Sequence, residues 1–108
     1  MPSDEVNAAE CNTITFVNRF TVHGSPEEFE RAFADTSAFM VRQPGFLEHT
    51  LVRRLGREDQ YINIASWTDE ESFRAALRQD GFAPHAAALR ALSRSENALY
   101  RTRQRSGR

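Results

Sequence analysis

The sequence contains a single cysteine, Cys11. That excludes an internal disulfide and any metal site built on several thiolates, and it suits a reducing cytoplasm. No apolar run is long enough to cross a bilayer. Residues 1–12 lack the basic start and apolar stretch of a secretory signal, so a cytoplasmic protein without a membrane role is expected. Neither sign of charge dominates: 14 basic and 15 acidic residues leave a net charge of −1, which argues against a surface built for polyanions. The only basic concentration is Arg101, Arg103, Arg105 and Arg108. No aromatic residue interleaves them beyond Tyr100, so they read as a solvated terminus rather than a nucleic-acid arm. Also missing are a Gly-rich phosphate loop, a His-Glu-x-x-His pair and a Gly-x-Ser-x-Gly elbow. His23, His49 and His85 show no ligand spacing, so no metal is expected.

What the sequence has in abundance is phenylalanine, 8 residues against one tryptophan and two tyrosines. Such rings pack a core or wall a pocket that accepts flat ligands. The length of 108 residues suits one domain. The expected division is a flexible segment at 1–12, a domain at 13–102 and a basic tail at 103–108.

Residues 13–22 alternate as a strand, with Phe16, Asn18, Phe20 and Val22 on one face. Ser25, Pro26 and Glu28 form a helix start with a capping box. Phe29, Ala32, Phe33, Thr36 and Met40 then give one apolar stripe, and Pro44-Gly45 ends the segment. Strands are expected at 46–54 and 60–67, joined by a turn at Gly56-Arg57-Glu58-Asp59. Thr68 and Glu71 read as a second capping box, opening a helix to about Arg78. A further helical segment follows at 83–92, and a short fourth strand at 97–102. The order is α+β, a ferredoxin-like βαββαβ pattern. Its strands are apolar on both faces: Phe46, Val52, Val17, Ile62 and Ile64 cannot all share the face of Asn63 and Trp67. A homodimer pairing sheets face to face, a dimeric α/β barrel, would bury them.

The chemistry rests on polar groups at positions that should be buried. Asn18 lies between Phe16 and Phe20, either as a backbone-bonded structural amide or as a ligand-orienting one. Asn63 shares a strand face with Trp67. Together they are either a bonded core pair or two N–H donors that stabilise an oxyanion in an apolar cavity. His49 is a candidate general base, because imidazole exchanges protons near neutral pH; the alternative is a half-exposed surface histidine. His85, beside Pro84, is either a local structural residue or a haem ligand.

These residues carry a likeness. Gln43-Pro44-Gly45-Phe46-Leu47, then Tyr61-Ile62-Asn63-Ile64-Ala65-Ser66-Trp67, Ser72-Phe73 and Phe82-x-x-His85 follow in order. From about Phe16 to Thr102 the chain resembles the antibiotic biosynthesis monooxygenase family of small dimeric α+β-barrel proteins. The resemblance is to the anthrone-oxidising branch, which uses no metal, flavin or haem. It implies that Asn63 and Trp67 bind the substrate oxygens. Leu51 and Phe73 stand where that branch has tyrosines, and Arg90 lies close to its arginine. His49 substitutes as the proton-handling candidate. The haem-degrading branch has an Asn that fits Asn18, a Trp whose position falls on Ala76, and a His whose position falls on Ala86, one past His85.

The implied function is cofactor-independent oxidation of a polycyclic phenolic, anthrone-like polyketide intermediate to a quinone with O2. Catalytic candidates are Asn63, Trp67 and His49. Substrate-contact candidates are Asn18, Phe16, Phe20, Phe33, Leu51, Phe73, Phe82 and His85. The alternatives are a haem-degrading monooxygenase and a non-oxidative cyclase or accessory protein on the same fold.

Overall fold

Serine and aspartate caps, glycine turns and alternating strands set the course of the chain. The computed structural model describes residues 12–108. Cys11 and the flexible segment expected at 1–12, Asn12 apart, lie outside them. The elements are β1 (Ile14–Val22), α1 (Pro26–Met40), β2 (Phe46–Arg53), β3 (Gln60–Trp67), α2 (Glu70–Leu77), α3 (Phe82–Leu92) and β4 (Ser93–Arg101). The strands form one antiparallel sheet in the order β2-β3-β1-β4. This is the expected ferredoxin-like α+β fold. No helix among the described residues is long and apolar enough to cross a membrane.

The helices begin where side chains satisfy free backbone N–H groups. Ser25 Oγ accepts from the Glu28 N–H at 2.9 Å, with Pro26 in the first turn. Helix α1 then buries Phe29, Phe33 and Thr36. Helix α2 departs from expectation: its cap is Asp69, not Thr68, and Oδ1 accepts from the Ser72 N–H at 2.7 Å. Thr68 is held instead by the loop before β2, its N–H donating to the Gly45 carbonyl at 2.8 Å. Gly45 itself has φ +88°, and a Cβ there would run into the Ser72 side chain. Both facts demand glycine at this crossing.

Two strands depart from simple alternation. In β2 the register slips between Phe46 and Glu48. Phe46 sits opposite Trp67 and His49 opposite Ala65, so both face the helices. The bulge leaves Leu47 exposed. Phe46, expected on the outer face, therefore belongs to the core beside Trp67. Strand β4 is longer than expected and starts directly at Ser93, the C-cap of α3. Ser93 Oγ donates to the Leu89 carbonyl at 2.7 Å, and Ser93 pairs with Val22.

The core lies between the sheet and the helices in two groups. Ile14, Ala65, Trp67, Phe73 and Ala76 form one; Phe20, Val22, Phe29, Phe33 and Tyr61 form the other. Fully burying side chains of this size contributes roughly 1.5–3 kcal/mol each. Among the described residues, nothing covers the opposite sheet face. Ile64 and Val52 are each 42% exposed and Tyr100 56%, with Val17 and Ile62 half-buried beside them.

The Asp69 cap has a pH signature. The Ser72 N–H, and next the Ser72 hydroxyl, hold the Asp69 carboxyl below its ordinary value. A depressed folded value means the stabilisation is present above about pH 4 and lost as pH falls through the folded value. Asp69→Ala should lower Tm by roughly 5 °C near neutrality. Thermal melts should show the gap from wild type closing as the solution is acidified below pH ~4.

Candidate active site

Register turns the sheet into rows. Residues paired directly across antiparallel strands project from the same face, and successive inward positions along a strand alternate with outward ones. On the helix side, Asn18 of β1 pairs with Asn63 of β3, which pairs with Leu51 of β2. The row to one side is Phe16, Ala65 and His49; the row to the other is Phe20, Tyr61 and Arg53. An amide pair thus crosses the middle of an aromatic floor.

Above this floor lies an inner pocket of about 100 Å³, walled by Phe16, Phe20, Phe33, Phe46, Phe73 and Phe82. Asn18, Asn63, Trp67 and His49 line it as well, with Ser37, Thr36 and Met40. It opens into a cleft of about 950 Å³ between α2, α3 and the β1–β4 edge, sharing Phe16, Asn18, Phe20, Phe73 and Phe82. Clefts of this class accept drug-sized ligands. Arg74 and Arg90 stand at its rim. Arg74 is paired to Glu70 at 2.8 Å.

Asn18 Oδ1 and Asn63 Oδ1 are buried and have no hydrogen-bond partner among the described residues, so neither is a backbone-bonded structural amide there. An unmet buried acceptor costs about 1–3 kcal/mol, which a ligand with matching polar atoms removes. Trp67 is only 1% exposed. Its indole is wedged edge-to-face between Phe46 at 5.3 Å and Phe73 at 5.7 Å. Those contacts fix the ring plane against the pocket.

His49 is not a surface histidine. Its Nε2 lies 2.5 Å from Ser37 Oγ, and its Nδ1 is buried with no partner among the described residues. The ring sits between Phe33 at 5.7 Å and Phe46 at 6.1 Å. If Nε2–H donates to Ser37, Nδ1 keeps a free lone pair and can take a proton. Ser37 escaped the sequence reading, although it lies four residues after Phe33 on the apolar stripe of α1. A hydroxyl on such a stripe was the available signal.

Two candidates stand apart from the pocket wall. Leu51 packs against the Phe20–Phe29 group rather than lining the cavity. His85 leans on Phe39 at 5.5 Å and lines neither cavity. Ala76, at the haem branch's Trp position, is buried against Trp67 and Phe73. The wide cleft has no histidine in its lining, and His49 lies in the inner pocket of about 100 Å³, which is too small for a haem, so the residues present do not fit that group.

Tyr61 does not replace the absent family tyrosines. Its hydroxyl donates to Glu30 Oε2 at 2.6 Å and receives a weaker contact from Arg53 at 3.5 Å. Burial, and next the Glu30 hydrogen bond, push its phenol above the ordinary value. It is a neutral phenol packed in the core beside Phe29 and lines neither cavity.

The antibiotic biosynthesis monooxygenase family matches residues 13–88. The chain is 56% identical to deoxynogalonate monooxygenase of Streptomyces nogalater, across 96% of this chain and 88% of that protein. The crystal structure of SnoaB, a cofactor-independent oxygenase from Streptomyces nogalater, matches with a TM-score of 0.86 at 60% identity. That match covers 87% of this chain and 96% of that one. A mycobilin-producing haem oxygenase of Mycobacterium tuberculosis is 29% identical, across 80% of this chain and 72% of that protein. With residues 13–88 matched by its model and a relative 56% identical over most of both chains, the chain belongs to the antibiotic biosynthesis monooxygenase family.

Proposed function

We propose that this protein is a cofactor-independent monooxygenase that converts a polycyclic phenolic, anthrone-like polyketide intermediate to a quinone with O2. The observation that carries the reading is the pair of amides, Asn18 and Asn63, unpartnered among the described residues, in a largely apolar pocket shared with Trp67. The relatives named as oxygenases of Streptomyces nogalater support it.

The chemistry needs little from the protein beyond binding, charge stabilisation and a base. Removal of a proton from the acidic ring CH2 leaves a delocalised carbanion whose charge rests largely on the carbonyl oxygen across the central ring. Asn63 and Trp67 donate N–H groups to that oxyanion in a water-poor site, where such donors are strongest. His49, oriented by Ser37, takes the proton at Nδ1. The electron-rich anion passes one electron to O2, and the resulting radical and superoxide combine with protonation to a hydroperoxide. Loss of water converts the former CH2 to a carbonyl: one oxygen atom enters the product and the other leaves as H2O. Asn18 orients the ring, and the phenylalanines wall it.

The protein works as a cytoplasmic homodimer in this reading, its open sheet face seated on that of a second copy. Val17, Val52, Ile62, Ile64 and Tyr100 would form the seam. A stable pair buries upward of roughly 1,000 Å² in total, which such a face can supply.

Three experiments test these statements. An oxygen electrode with anthrone should record uptake matched by quinone formation. Asn63→Ala and Trp67→Ala should each lower kcat about 10- to 100-fold, since each leaves the other donor in place. Product formation without oxygen uptake would identify a cyclase instead. Next, His49→Gln should slow turnover about 100-fold, the scale of general-base loss, and Ser37→Ala should slow it less; equal turnover in His49→Gln would remove His49 from the mechanism. Finally, Ile64→Glu should shift the molecular mass by light scattering from two chains to one, whereas a monomeric wild type would reject the seam.

A further inference from the structure

Strand β4 adds a residue that the oxygenase reading leaves unused. Asn97 pairs directly with Asn18 in the β1–β4 register, as Asn63 does on the other side in β1–β3. Three carboxamides therefore stand in one row across three adjacent strands, projecting from the same face. The row runs from the closed end to the open end of the cavity: Asn63 lines the inner pocket, Asn18 both spaces and Asn97 the wide cleft. None of the three side chains takes a hydrogen bond from another described residue, so the row is not a self-satisfied asparagine ladder. Leu99, Phe16 and Ala65 bank it on one side; Ser95, Phe20 and Tyr61 bank it on the other. The result is a trough with a polar floor and largely apolar banks.

The trough has a natural spacing. Adjacent strands lie about 4.8 Å apart. Two parallel oxygens on alternate positions along one edge of linearly fused aromatic rings are separated by nearly the same distance. A planar phenol standing edge-on between the banks would set one oxygen over Asn18 and the next over Asn97.

We propose that Asn97 is a substrate-positioning residue, holding a second ring oxygen one strand interval from the oxygen held at Asn18. The preferred ligand class follows: fused-ring phenols oxygenated at alternate positions of the edge that faces the sheet. This rests on the oxygenase reading for its purpose, and it adds a preference that reading does not require.

Binding tests it separately from turnover. Trp67 is the only tryptophan in the chain and lies on the pocket wall, so quenching of its fluorescence reports occupancy. The probes are 1,8-dihydroxyanthraquinone, which carries two parallel edge hydroxyls at the required interval, and 1-hydroxyanthraquinone, which lacks one. Wild type should bind the dihydroxy probe about tenfold tighter, the scale of one hydrogen bond. Asn97→Leu, similar in size and on the open edge, should bring the ratio to within about twofold by weakening the dihydroxy probe alone. Circular dichroism establishes that the variant is folded. A ratio that persists in Asn97→Leu, an equal weakening of both probes, or no preference in wild type overturns the proposal. Oxygen uptake by wild type with anthrone is measured in parallel: its failure would reject the oxygenase reading, while the quenching ratio would still decide the role of Asn97.

Discussion

The site depends on one constraint, the register of β1 between β3 and β4. Asn18 can meet Asn63 only because Phe16 falls opposite Ala65 and Phe20 opposite Tyr61. A slip of one residue would turn Phe16, Asn18 and Phe20 to the far face and bring Val17 and Arg19 inward. The same hydrophobic force that buries Phe20 and Ile14 thus fixes where the amides stand. Core packing and site geometry are here one interaction seen from two sides. That explains how a polar pair with unmet acceptors is tolerated in so small a domain: moving either amide would expose the rings beside it.

A second set of contacts aims the remaining groups. The bulge in β2 inserts one residue between Phe46 and His49, so both face inward although simple alternation would part them. Phe46 then braces Trp67, and His49 reaches Ser37 on α1. The bulge lies next to Gly45, whose close approach to Ser72 ties the start of β2 to α2. The indole and the Asn63 amide thus share β3, the imidazole stands on β2 and the Asn18 amide on β1, joined by packed rings and the Ser37 hydroxyl.

Much of this was legible in the sequence. Alternation placed Phe16, Asn18 and Phe20 on one face, and Tyr61, Asn63, Ala65 and Trp67 on another, as the structure has them. Helix starts at Ser25 and near Thr68 came from capping chemistry, with the second off by one because Thr68 is already engaged by Gly45. What could not be read was long-range. The bulge at Leu47 was masked because Pro44-Gly45 beside it read only as the end of α1. The start of β4 was hidden because Ser93, Ser95 and Asn97, its inward residues, are polar where a cleft replaces a core. Periodicity finds strands that bury apolar side chains, and it overlooks the strand that floors a binding site. The pairing of Ser37 with His49 needed the crossing of α1 over β2, which no local pattern contains.

The junction between α3 and β4 has a mechanical consequence. Helix and strand meet at Ser93 with no intervening loop, and that residue is clamped both to Leu89 and to Val22. Roof and floor of the large cleft are thus consecutive stretches of one chain, folded like a book at its spine. Prying them apart at that end would tear strand pairing. Any widening of the cleft therefore has to come at the end away from Ser93.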